Sequence, residues 1–454
     1  MNCSSRFLQG ALLIALLAAG LATPEAILAH DDHPPKKVLD EELYRATPMP
    51  DRIVLSWSGD PARSQAVTWR TDSSIGKALA QIAVSEAGPG FVKSTKDVPA
   101  TTALHEGDLG PAHYHSLNFT ELQPATKYVY RVGDGVNWSE WFQFQTASEK
   151  AEPFSFIYFG DAQNNVREHW SRVIREAHSD APKARFMIHA GDLINSGNRD
   201  AEWGEWFGAG AWLNAMVPNI ATPGNHEYPR DRTKPDARSQ LSHHWRPQFT
   251  FPDNGPSGLE ETVYWLDFQG TRIISLNSNE QQERQVDWLA DALANNLNQW
   301  TVVTFHHPVY STAKGRDNPQ IRTLWKPLLD KYRVDLVLQG HDHAYARFNP
   351  QVTENVPVGA TARSPEGGTV YVVSVSGPKM YNLERRPEMA RAAENTQLYQ
   401  IVSIDGDTLR YEARTATGEL YDAFRLTKRP GEINQLVDEA PDTPERRAEK
   451  SAGK

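Results

Sequence analysis

The sequence predicts two folded regions, a β-sandwich followed by a layered α/β domain. Short β-rich runs separated by turn residues fill residues 51–147. Beyond residue 150, apolar runs of strand length alternate with helical stretches, the pattern of a layered α/β domain. A chain of 454 residues is also too long for one ordinary core, so we expect two domains.

The N-terminal domain is predicted over residues 51–147. Gly59-Asp60-Pro61 separates its first two β-rich runs, and Gly133-Asp134-Gly135 turns the chain into the last one. Several short strands over about 100 residues are typical of a fibronectin type III-like β-sandwich. The expected strands are 52–57, 65–70, 115–120, 127–132 and 141–146.

The α/β domain is predicted over residues 152–428. Its helices are expected at 167–179 and 285–295, the second with Val286, Leu289 and Leu293 on one side. Residues 429–454, rich in proline and charge, are predicted to be a disordered tail. The expected strands are 154–159, 185–190, 272–276, 300–305, 334–339 and 369–375.

Residues 1–29 have the composition of a secretory signal peptide. Arg6 precedes an apolar run at 11–19, which is too short for the roughly 20 residues of a transmembrane helix. We therefore expect an exported protein, periplasmic or extracellular, with residues 30–50 as a leader and no membrane anchor; an uncleaved anchor is the alternative. The single cysteine, Cys3, lies in this segment, so oxygen and imidazole groups must serve any metal.

Charge and composition restrict the class of partner. A formal net charge of −10 without a Lys/Arg cluster disfavours electrostatic binding of nucleic acid. The 39% hydrophobic and 23% charged content is that of a folded globular protein. Any phosphate bound by this chain is therefore expected to meet metal ions rather than a basic surface. The oligomeric state is left open by the sequence.

Five apolar runs end in residues that can bind metal ions. Each ending has an ordinary alternative as a turn, a helix cap or a loop. Together, however, they lie where α/β sheets gather their sites, at the carboxyl ends of strands, and they favour a two-metal centre. The endings are Asp161, Asp192, Asn225-His226, His306-His307 and His341-Asp342-His343.

These endings resemble the signature of the calcineurin-like metallophosphoesterases, and in particular of the purple acid phosphatase family. Gly224-Asn225-His226-Glu227 matches the family pattern, and residues 340–347 differ from Gly-His-x-His-Ala-Tyr-Glu-Arg only at Ala346. The family joins a fibronectin-like domain to this catalytic domain, as the chain is predicted to do. The resemblance implies an acid phosphatase-like phosphomonoesterase in which a hydroxide bridging two metal ions attacks phosphorus. A phosphodiesterase or nucleotide hydrolase of the same fold is the alternative.

The resemblance also implies the metal ligands. Asp192 would bridge the two ions. Asp161 and His343 would complete the ligands of the first ion. The second ion would be held, besides the bridge, by Asn225, His306 and His341.

Two histidines are implied beside the metals. His226 would be the catalytic residue that stabilises the phosphoryl oxygens or protonates the leaving group. His306 is chosen as the ligand over His307 because the family ligand lies two residues before a proline, here Pro308. His307 is then either an outer-sphere residue or a structural one.

The chain departs from the family at the first metal. Asn195 replaces the tyrosine whose tyrosinate binds ferric iron, and Gln163 replaces a histidine. Gln163 resembles the glutamine of an Asp-x-Gln branch, where the amide carbonyl is a ligand; an outer-sphere role is the alternative. Without the hard anionic tyrosinate, the first site is expected to prefer ferric iron less, which favours Mn²⁺, Fe²⁺ or Zn²⁺. The expected cofactors are thus two divalent or trivalent ions of Fe, Mn or Zn, and the expected substrate is a small phosphate ester.

Other features leave alternatives open. Asn195 and Gln163 also favour an exported binding protein with a degenerate metal site and no catalysis. Arg347 is expected either to contact substrate or to form a structural ion pair. A further group is expected to line a pocket or to pack a loop, namely Trp203, Trp206, Trp212, His243, His244 and Trp245.

Overall fold

The computed structural model describes residues 37–230, 233, 237–350, 368–429 and 431–447. Residues 1–39 and 40–454 are separate units, and only residues 37–39 of the first are described. The predicted signal peptide, residues 1–29, lies outside the described residues. None of the described helices combines the length and the apolar character needed to cross a membrane.

The predicted N-terminal β-sandwich is present. Its strands are β1 (Asp51–Ser56), β2 (Gln65–Asp72), β3 (Leu79–Val84), β4 (Lys96–Pro99), β5 (Thr101–Gly107), β6 (Gly110–Phe119), β7 (Lys127–Gly133) and β8 (Phe142–Gln145). They form two antiparallel sheets with the orders β1-β2-β6-β5 and β4-β3-β7-β8. Leu55, Trp69, Tyr130 and Phe144 fill the core of the sandwich.

Two mixed seven-stranded sheets form the second part of the chain. Their strands are β9 (Phe154–Phe159), β10 (Met187–His189), β11 (Asn219–Ala221), β12 (Tyr264–Phe268), β13 (Thr271–Ser275), β14 (Trp300–Thr304), β15 (Leu336–Gln339), β16 (Tyr345–Phe348), β17 (Val370–Val373), β18 (Met389–Ala393), β19 (Leu398–Asp405), β20 (Thr408–Thr415), β21 (Leu420–Thr427) and β22 (Gln435–Asp438). The α-helices of the described residues are α1 (Asp40–Tyr44), α2 (Ser171–Asp180), α3 (Asp200–Gly210), α4 (Trp245–Gln248), α5 (Arg284–Ala294), α6 (Pro319–Leu324) and α7 (Lys326–Lys331).

Parallel pairing at the centre of each sheet sets the position of the site. The first sheet has the order β11-β10-β9-β19-β20-β21-β22, with β9, β10 and β11 parallel. The second has the order β12-β13-β14-β15-β17-β16-β18, with β13, β14, β15 and β17 parallel. The remaining neighbours are antiparallel. Loops after the parallel strands therefore emerge together at one end of each sheet.

The two sheets pack face to face and carry helices on their outer sides. Phe156, Ile188 and Val302 belong to one large core between them. Neighbouring residues of the second sheet point the other way, as strand alternation requires, and Val303 packs with Leu289 of α5 in a separate core. The result is the layered α/β architecture that the sequence predicted.

The predicted disordered tail, residues 429–454, is wrong at strand β22, Gln435–Asp438. Strand β22 pairs with β21, and the Asp438 carboxylate accepts a hydrogen bond of 2.9 Å from the buried Arg347 guanidinium. A four-residue strand whose partner is the edge of an existing sheet has no periodicity long enough to be read from the sequence. The predicted leader, residues 30–50, likewise ends in α1, where the Tyr44 carbonyl accepts a hydrogen bond from Arg70.

Four of the residues left open by the sequence are packed in the structure. Arg347 is fully buried and donates to both carboxylate oxygens of Asp422 at 2.9 and 3.0 Å, so it is a structural ion pair. Trp203, Trp206 and Trp245 are buried in the core. Trp212 is 49% exposed.

A buried ion pair joins the sandwich to the α/β domain, and its removal is expected to destabilise the protein. Asp200 of α3 accepts from Arg52 at 2.6 Å and from Arg70 at 2.9 Å, and the three side chains are at most 7% exposed. Asp200→Asn removes a counter-charge from both guanidinium groups, although Arg70 keeps its pair with Asp51 at 2.6 Å, so we expect the free energy of unfolding to fall by about 3 kcal/mol. Urea unfolding followed by circular dichroism measures this.

The effect of Asp200→Asn should depend on pH. Burial alone would raise the pKa of Asp200, but Arg52 and Arg70 outweigh it and the pKa lies below its ordinary value. A depressed carboxyl pKa stabilises the folded state above the unfolded pKa of about 3.9 and loses this effect as pH falls through the folded pKa. The variant should therefore converge with the natural protein in strong acid. Asp97→Asn, at an exposed carboxylate, is the control; equal midpoints for both variants at neutral pH would refute this account.

Candidate metal centre

The predicted site residues lie on loops that directly follow parallel strands. Asp161 follows β9, Asp192 follows β10, and Asn225 follows β11. His306 follows β14, and the loop carrying His341 and His343 follows β15. Two sheets thus contribute to one centre from the carboxyl ends of their strands. The sequence predicted this convergence.

Several of these residues have strained backbones. The φ angles of Asp161, Asp192, His341 and His343 are 23°, 51°, 75° and 45°, in or near the left-handed region that side chains other than glycine rarely adopt. Such strain costs on the order of 1–3 kcal/mol per residue and persists where the surrounding fold fixes it, often at functional sites. Gly224 makes room for the turn, because a Cβ there would lie 2.2 Å from Asp192 Oδ1.

One group of ligand atoms surrounds His306. Its Nε2 atom lies 3.1 Å from Asp192 Oδ2, 3.1 Å from Asn225 Oδ1 and 3.1 Å from His341 Nδ1. Ligand atoms of Asp192, His306 and His341 all lie within 4.8 Å of one another. Two nitrogens of one tetrahedral zinc ion are about 3.3 Å apart, given Zn–N bonds of about 2.0–2.1 Å. The spacing fits one metal ion shared by these four residues.

A second group adjoins the first through Asp192. Ligand atoms of Asp161, Asp192 and His343 also lie within 4.8 Å of one another. The Gln163 amide reaches between them, with Nε2 at 2.8 Å from His343 Nε2 and 3.1 Å from Asp192 Oδ2. Asp161 Oδ1 and Gln163 Oε1 are buried and have no hydrogen-bond partner among the described residues. Buried orphan oxygens are costly, and a bound cation is a partner that both can accept.

Backbone carbonyls orient two of the imidazoles. His306 Nδ1 donates to the Ala190 carbonyl at 2.9 Å, and His343 Nδ1 donates to the Lys379 carbonyl at 2.8 Å. In both rings this leaves Nε2 facing the ligand group as the atom available to a metal ion. Metal-binding histidines are characteristically fixed in this way.

The electrostatics favour a cation between the carboxylates. Burial raises the pKa of Asp161 well above its usual value; His306 opposes this effect and Asp192 adds to it. Burial alone would lower the pKa of His306, but Asp192 outweighs it and raises that pKa to about 9. In the protein without metal, a proton on His306 therefore partly neutralises Asp192. Burial lowers the pKa of His343 to about 4, so its imidazole is neutral and able to bind metal.

His226 lies beside the centre, and one of its ring nitrogens is already hydrogen-bonded to the protein. Its backbone N–H donates to Asp192 Oδ1 at 2.9 Å, and its Nδ1 donates to the Asn195 backbone carbonyl. Nε2 remains for a ligand. The side-chain oxygen of Asn195 accepts a hydrogen bond from the Asn164 amide at 3.0 Å. The backbone carbonyl of Asn195 thus orients His226, whereas its neutral side-chain amide is no substitute for a tyrosinate.

The position of Asn195 predicts the colour of the protein. Asn195 stands at the position of the tyrosine that binds ferric iron in the purple acid phosphatase family, and an amide cannot supply a tyrosinate. Tyr381 packs against the His343 ring at a centroid distance of 4.5 Å. We expect iron-loaded protein to show no visible tyrosinate-to-iron charge-transfer band. Absorption spectroscopy after reconstitution with iron tests this, and a purple sample would overturn the assignment.

Glu227 is a positioning residue that the sequence reasoning left without a role. Its buried carboxylate accepts from the backbone N–H groups of Asp192, Leu193 and Gly224 at 2.8, 2.8 and 2.7 Å. It thus fixes the loop after β10 to the loop after β11. Burial, with a contribution from Asp192, raises the pKa of Glu227 to about 7. The position of Glu227 directly after His226, in the motif Gly224-Asn225-His226-Glu227, was the sequence feature that could have indicated this role.

Asp342, between the two histidine ligands, has a comparable role. Its Oδ2 accepts from the backbone N–H groups of Thr312 and Ala313 at 2.6 and 3.3 Å. His307 contacts the ligand His341 and belongs to neither ligand group. Its Nδ1 lies 2.8 Å from Ser278 Oγ, and its ring packs against the His341 ring. This geometry fits the outer-sphere alternative for His307.

Two cations that the sequence reasoning missed flank the centre. Arg316 donates to the His341 carbonyl at 3.1 Å, and its guanidinium lies 4.7 Å from the Tyr381 ring. Lys379 Nζ lies 5.5 Å from the same ring. Both come from loops without a motif, so only the fold brings them to the site.

Both domains match known sequence families. Residues 50–146 match the purple acid phosphatase N-terminal domain, and residues 154–345 match the calcineurin-like phosphoesterase family. The first matched segment spans strands β1 to β8 of the sandwich, and the second spans β9 to β15 of the α/β domain. The second covers the loops of all the predicted ligands.

Individual relatives agree with these matches. A Mycobacterium tuberculosis protein of uncharacterised function is 26% identical over 336 residues, which are 65% of this chain and only 61% of that protein. Acid phosphatase type 7 of Danio rerio is 26% identical over 335 residues, covering 66% of this chain and 72% of its own. The solved purple acid phosphatase PPD1 from yellow lupin seeds aligns with a TM-score of 0.69 at 18% identity, over 84% of this chain and 74% of that one. This last likeness establishes a shared fold.

Proposed function

Because the chain joins a purple acid phosphatase N-terminal domain to a calcineurin-like phosphoesterase domain, we propose that it is a two-metal hydrolase of phosphate esters. Acid phosphatase-like cleavage of phosphomonoesters is the preferred activity. Hydrolysis of phosphodiesters or nucleotides is the alternative within the same fold.

The observation that carries the proposal is the pair of ligand groups joined at Asp192. Asp161, Gln163 and His343 would complete the first metal site, and Asn225, His306 and His341 the second. Two carboxylates facing two dications leave the centre positively charged, which suits a phosphate anion. When bound, the metals supply Lewis-acid polarisation of phosphoryl oxygens and acidify water. With oxygen and nitrogen ligands and no tyrosinate, Mn²⁺, Fe²⁺ and Zn²⁺ are the proposed metals.

The protein's own groups would position the ester and handle the proton. His226, held at Nδ1 by the Asn195 carbonyl, can present Nε2 to a phosphoryl oxygen or a leaving-group oxygen. Arg316 and Lys379 can attract the outer charge of the substrate. A terminal phosphomonoester carries more negative charge than a diester, so these cations favour the monoester.

Export belongs to the proposal as well. The apolar run at 11–19 after Arg6 and the absence of cysteine after Cys3 support a periplasmic or extracellular protein. Fractionation of cells that express the full chain tests this. Protein of full length retained in the cytoplasm would contradict it.

A substrate panel on one reconstituted preparation tests the function. Metal-depleted protein is loaded with Mn²⁺ or Zn²⁺ and assayed with p-nitrophenyl phosphate, bis-p-nitrophenyl phosphate and a nucleotide. We expect metal-dependent turnover with the monoester fastest, and an optimum nearer neutral than acidic pH because divalent ions acidify water less than ferric iron does. No turnover of any ester after loading would favour the non-catalytic binding protein.

A further inference from the structure

A third group of imidazoles shares no residue with the two ligand groups of the candidate metal centre and lies where the sandwich meets the α/β domain. His105 comes from β5, and His243 and His244 immediately precede α4. One ligand nitrogen from each ring lies within 4.8 Å of the others. The ligand atoms of the two groups at the candidate metal centre lie within the same distance of one another.

One pair of nitrogens in the group has the separation expected for two ligands of one ion, and the third ring adjoins both. His105 Nε2 lies 3.1 Å from His244 Nδ1, close to the separation of about 3.3 Å expected for two imidazoles on a tetrahedral zinc ion. The His243 ring lies 4.9 Å from the His105 ring and 4.4 Å from the His244 ring, measured between centroids. A hydrogen bond between His105 and His244 would explain the first distance, but it gives no reason for the third ring.

The rings are available to a cation. Burial, with a smaller contribution from His243, lowers the pKa of His105 to about 4. Burial, with a smaller contribution from His105, lowers the pKa of His244 to about 3. A neutral imidazole has one ring nitrogen without a proton, and that nitrogen is the atom that binds a metal ion. His243 is exposed, so an ion and its remaining water ligand have access from solvent.

The local charge balance permits a dication. The nearby guanidinium groups of Arg52 and Arg70 are paired with the carboxylates of Asp200 and Asp51. Asp200 Oδ1 lies 3.6 Å from His244 Nδ1 and faces the same group of rings. The cation would thus meet a carboxylate rather than an unpaired positive charge.

We propose that His105, His243 and His244 bind a divalent transition-metal ion, with Zn²⁺ as the preferred occupant, and that this ion links the sandwich to the α/β domain. Three neutral imidazoles and no thiolate suit zinc, copper or nickel far better than Mg²⁺ or Ca²⁺. Because one ligand comes from the sandwich and two from the loop before α4, the ion would resist separation of the two elements. The ion would share no ligand with the two groups of the candidate metal centre.

Zinc content and thermal unfolding of two matched variants test the site. His243→Ala removes an exposed ligand and leaves the core intact, whereas His169→Ala removes an exposed histidine of the same domain that is outside the group. Each protein is saturated with Zn²⁺, passed through a desalting column and analysed for metal. We expect the natural protein and His169→Ala to retain about one Zn²⁺ ion per chain more than His243→Ala. Zn²⁺ should also raise the melting temperature of these two proteins more than that of His243→Ala.

His105→Gln is the second test, because glutamine can still hydrogen-bond to His244 but binds zinc poorly. Loss of the same ion with an unchanged circular dichroism spectrum supports the site. Equal zinc content in the natural protein and His243→Ala would overturn the proposal, whatever the activity toward phosphate esters. Activity of His243→Ala equal to that of the natural protein, alongside the missing ion, would show that the third site is separate from the catalytic one.

Discussion

Replacement of Asp192 by asparagine is expected to abolish hydrolysis and to leave fewer than two metal ions per chain at the catalytic centre. Asp192 is the residue common to both ligand groups, and its carboxylate also accepts from the His226 backbone. Asparagine keeps the shape but removes the charge and one acceptor oxygen. Loss of an outer-shell partner costs about 10–100-fold in metal affinity or activity, and loss of the shared ligand should exceed this range.

Steady-state kinetics and metal analysis on the same preparation measure the effect of Asp192→Asn. Asp267→Asn is the matched control, because Asp267 lies on the edge strand β12, pairs with Arg272 of β13 and belongs to neither ligand group. The control should keep its metals and its activity within a small factor. If Asp192→Asn retained most of its kcat with both ions bound, Asp192 would not join the two metals.

The second large effect is expected from Glu227→Ala, and it acts on stability as well as on metal binding. The change leaves the buried N–H groups of Asp192, Leu193 and Gly224 without their acceptor. Each unsatisfied buried group costs about 1–3 kcal/mol, so the free energy of unfolding should fall by about 3 kcal/mol or more. The loop carrying Asp192 should also lose its position, and metal affinity should decrease with it.

Urea unfolding and a metal titration separate these two effects of Glu227→Ala. Glu227→Gln keeps one acceptor oxygen, so its losses should lie between those of the natural protein and the alanine variant. Glu205→Ala is the control, because Glu205 is half-buried and accepts, among the described residues, a single longer backbone bond of 3.3 Å from Arg167. An alanine variant at position 227 as stable as Glu205→Ala would contradict the positioning role.

The fold and much of the candidate centre could be predicted because the chemistry is local in the sequence. Asp161 and Asp192 directly follow apolar strands, and a strand end with a ligand-type residue is recognisable without knowing its neighbours. Gln163, expected at the first metal, indeed lies between Asp192 and His343. Its role as a ligand stays a prediction.

What escaped prediction depends on contacts between distant segments. Glu227 gained its role only when the loops after β10 and β11 came together, and Arg316 and Lys379 reach the centre from loops without a pattern. The short strand β22 forms only against the completed edge of its sheet. The His105 group likewise joins residues about 140 positions apart in the sequence.

Stepwise addition of metal to metal-depleted protein tests the two-metal centre most directly. Mn²⁺ is the suitable ion, because nitrogen-rich sites such as the His105 group bind it most weakly among the first-row divalent ions. We expect hydrolysis of p-nitrophenyl phosphate to stay low through the first equivalent and to rise with the second. In Asp192→Asn, no such rise should occur at any metal concentration. Full activity in the metal-depleted protein, or after a single equivalent, would contradict a two-metal centre built on Asp192.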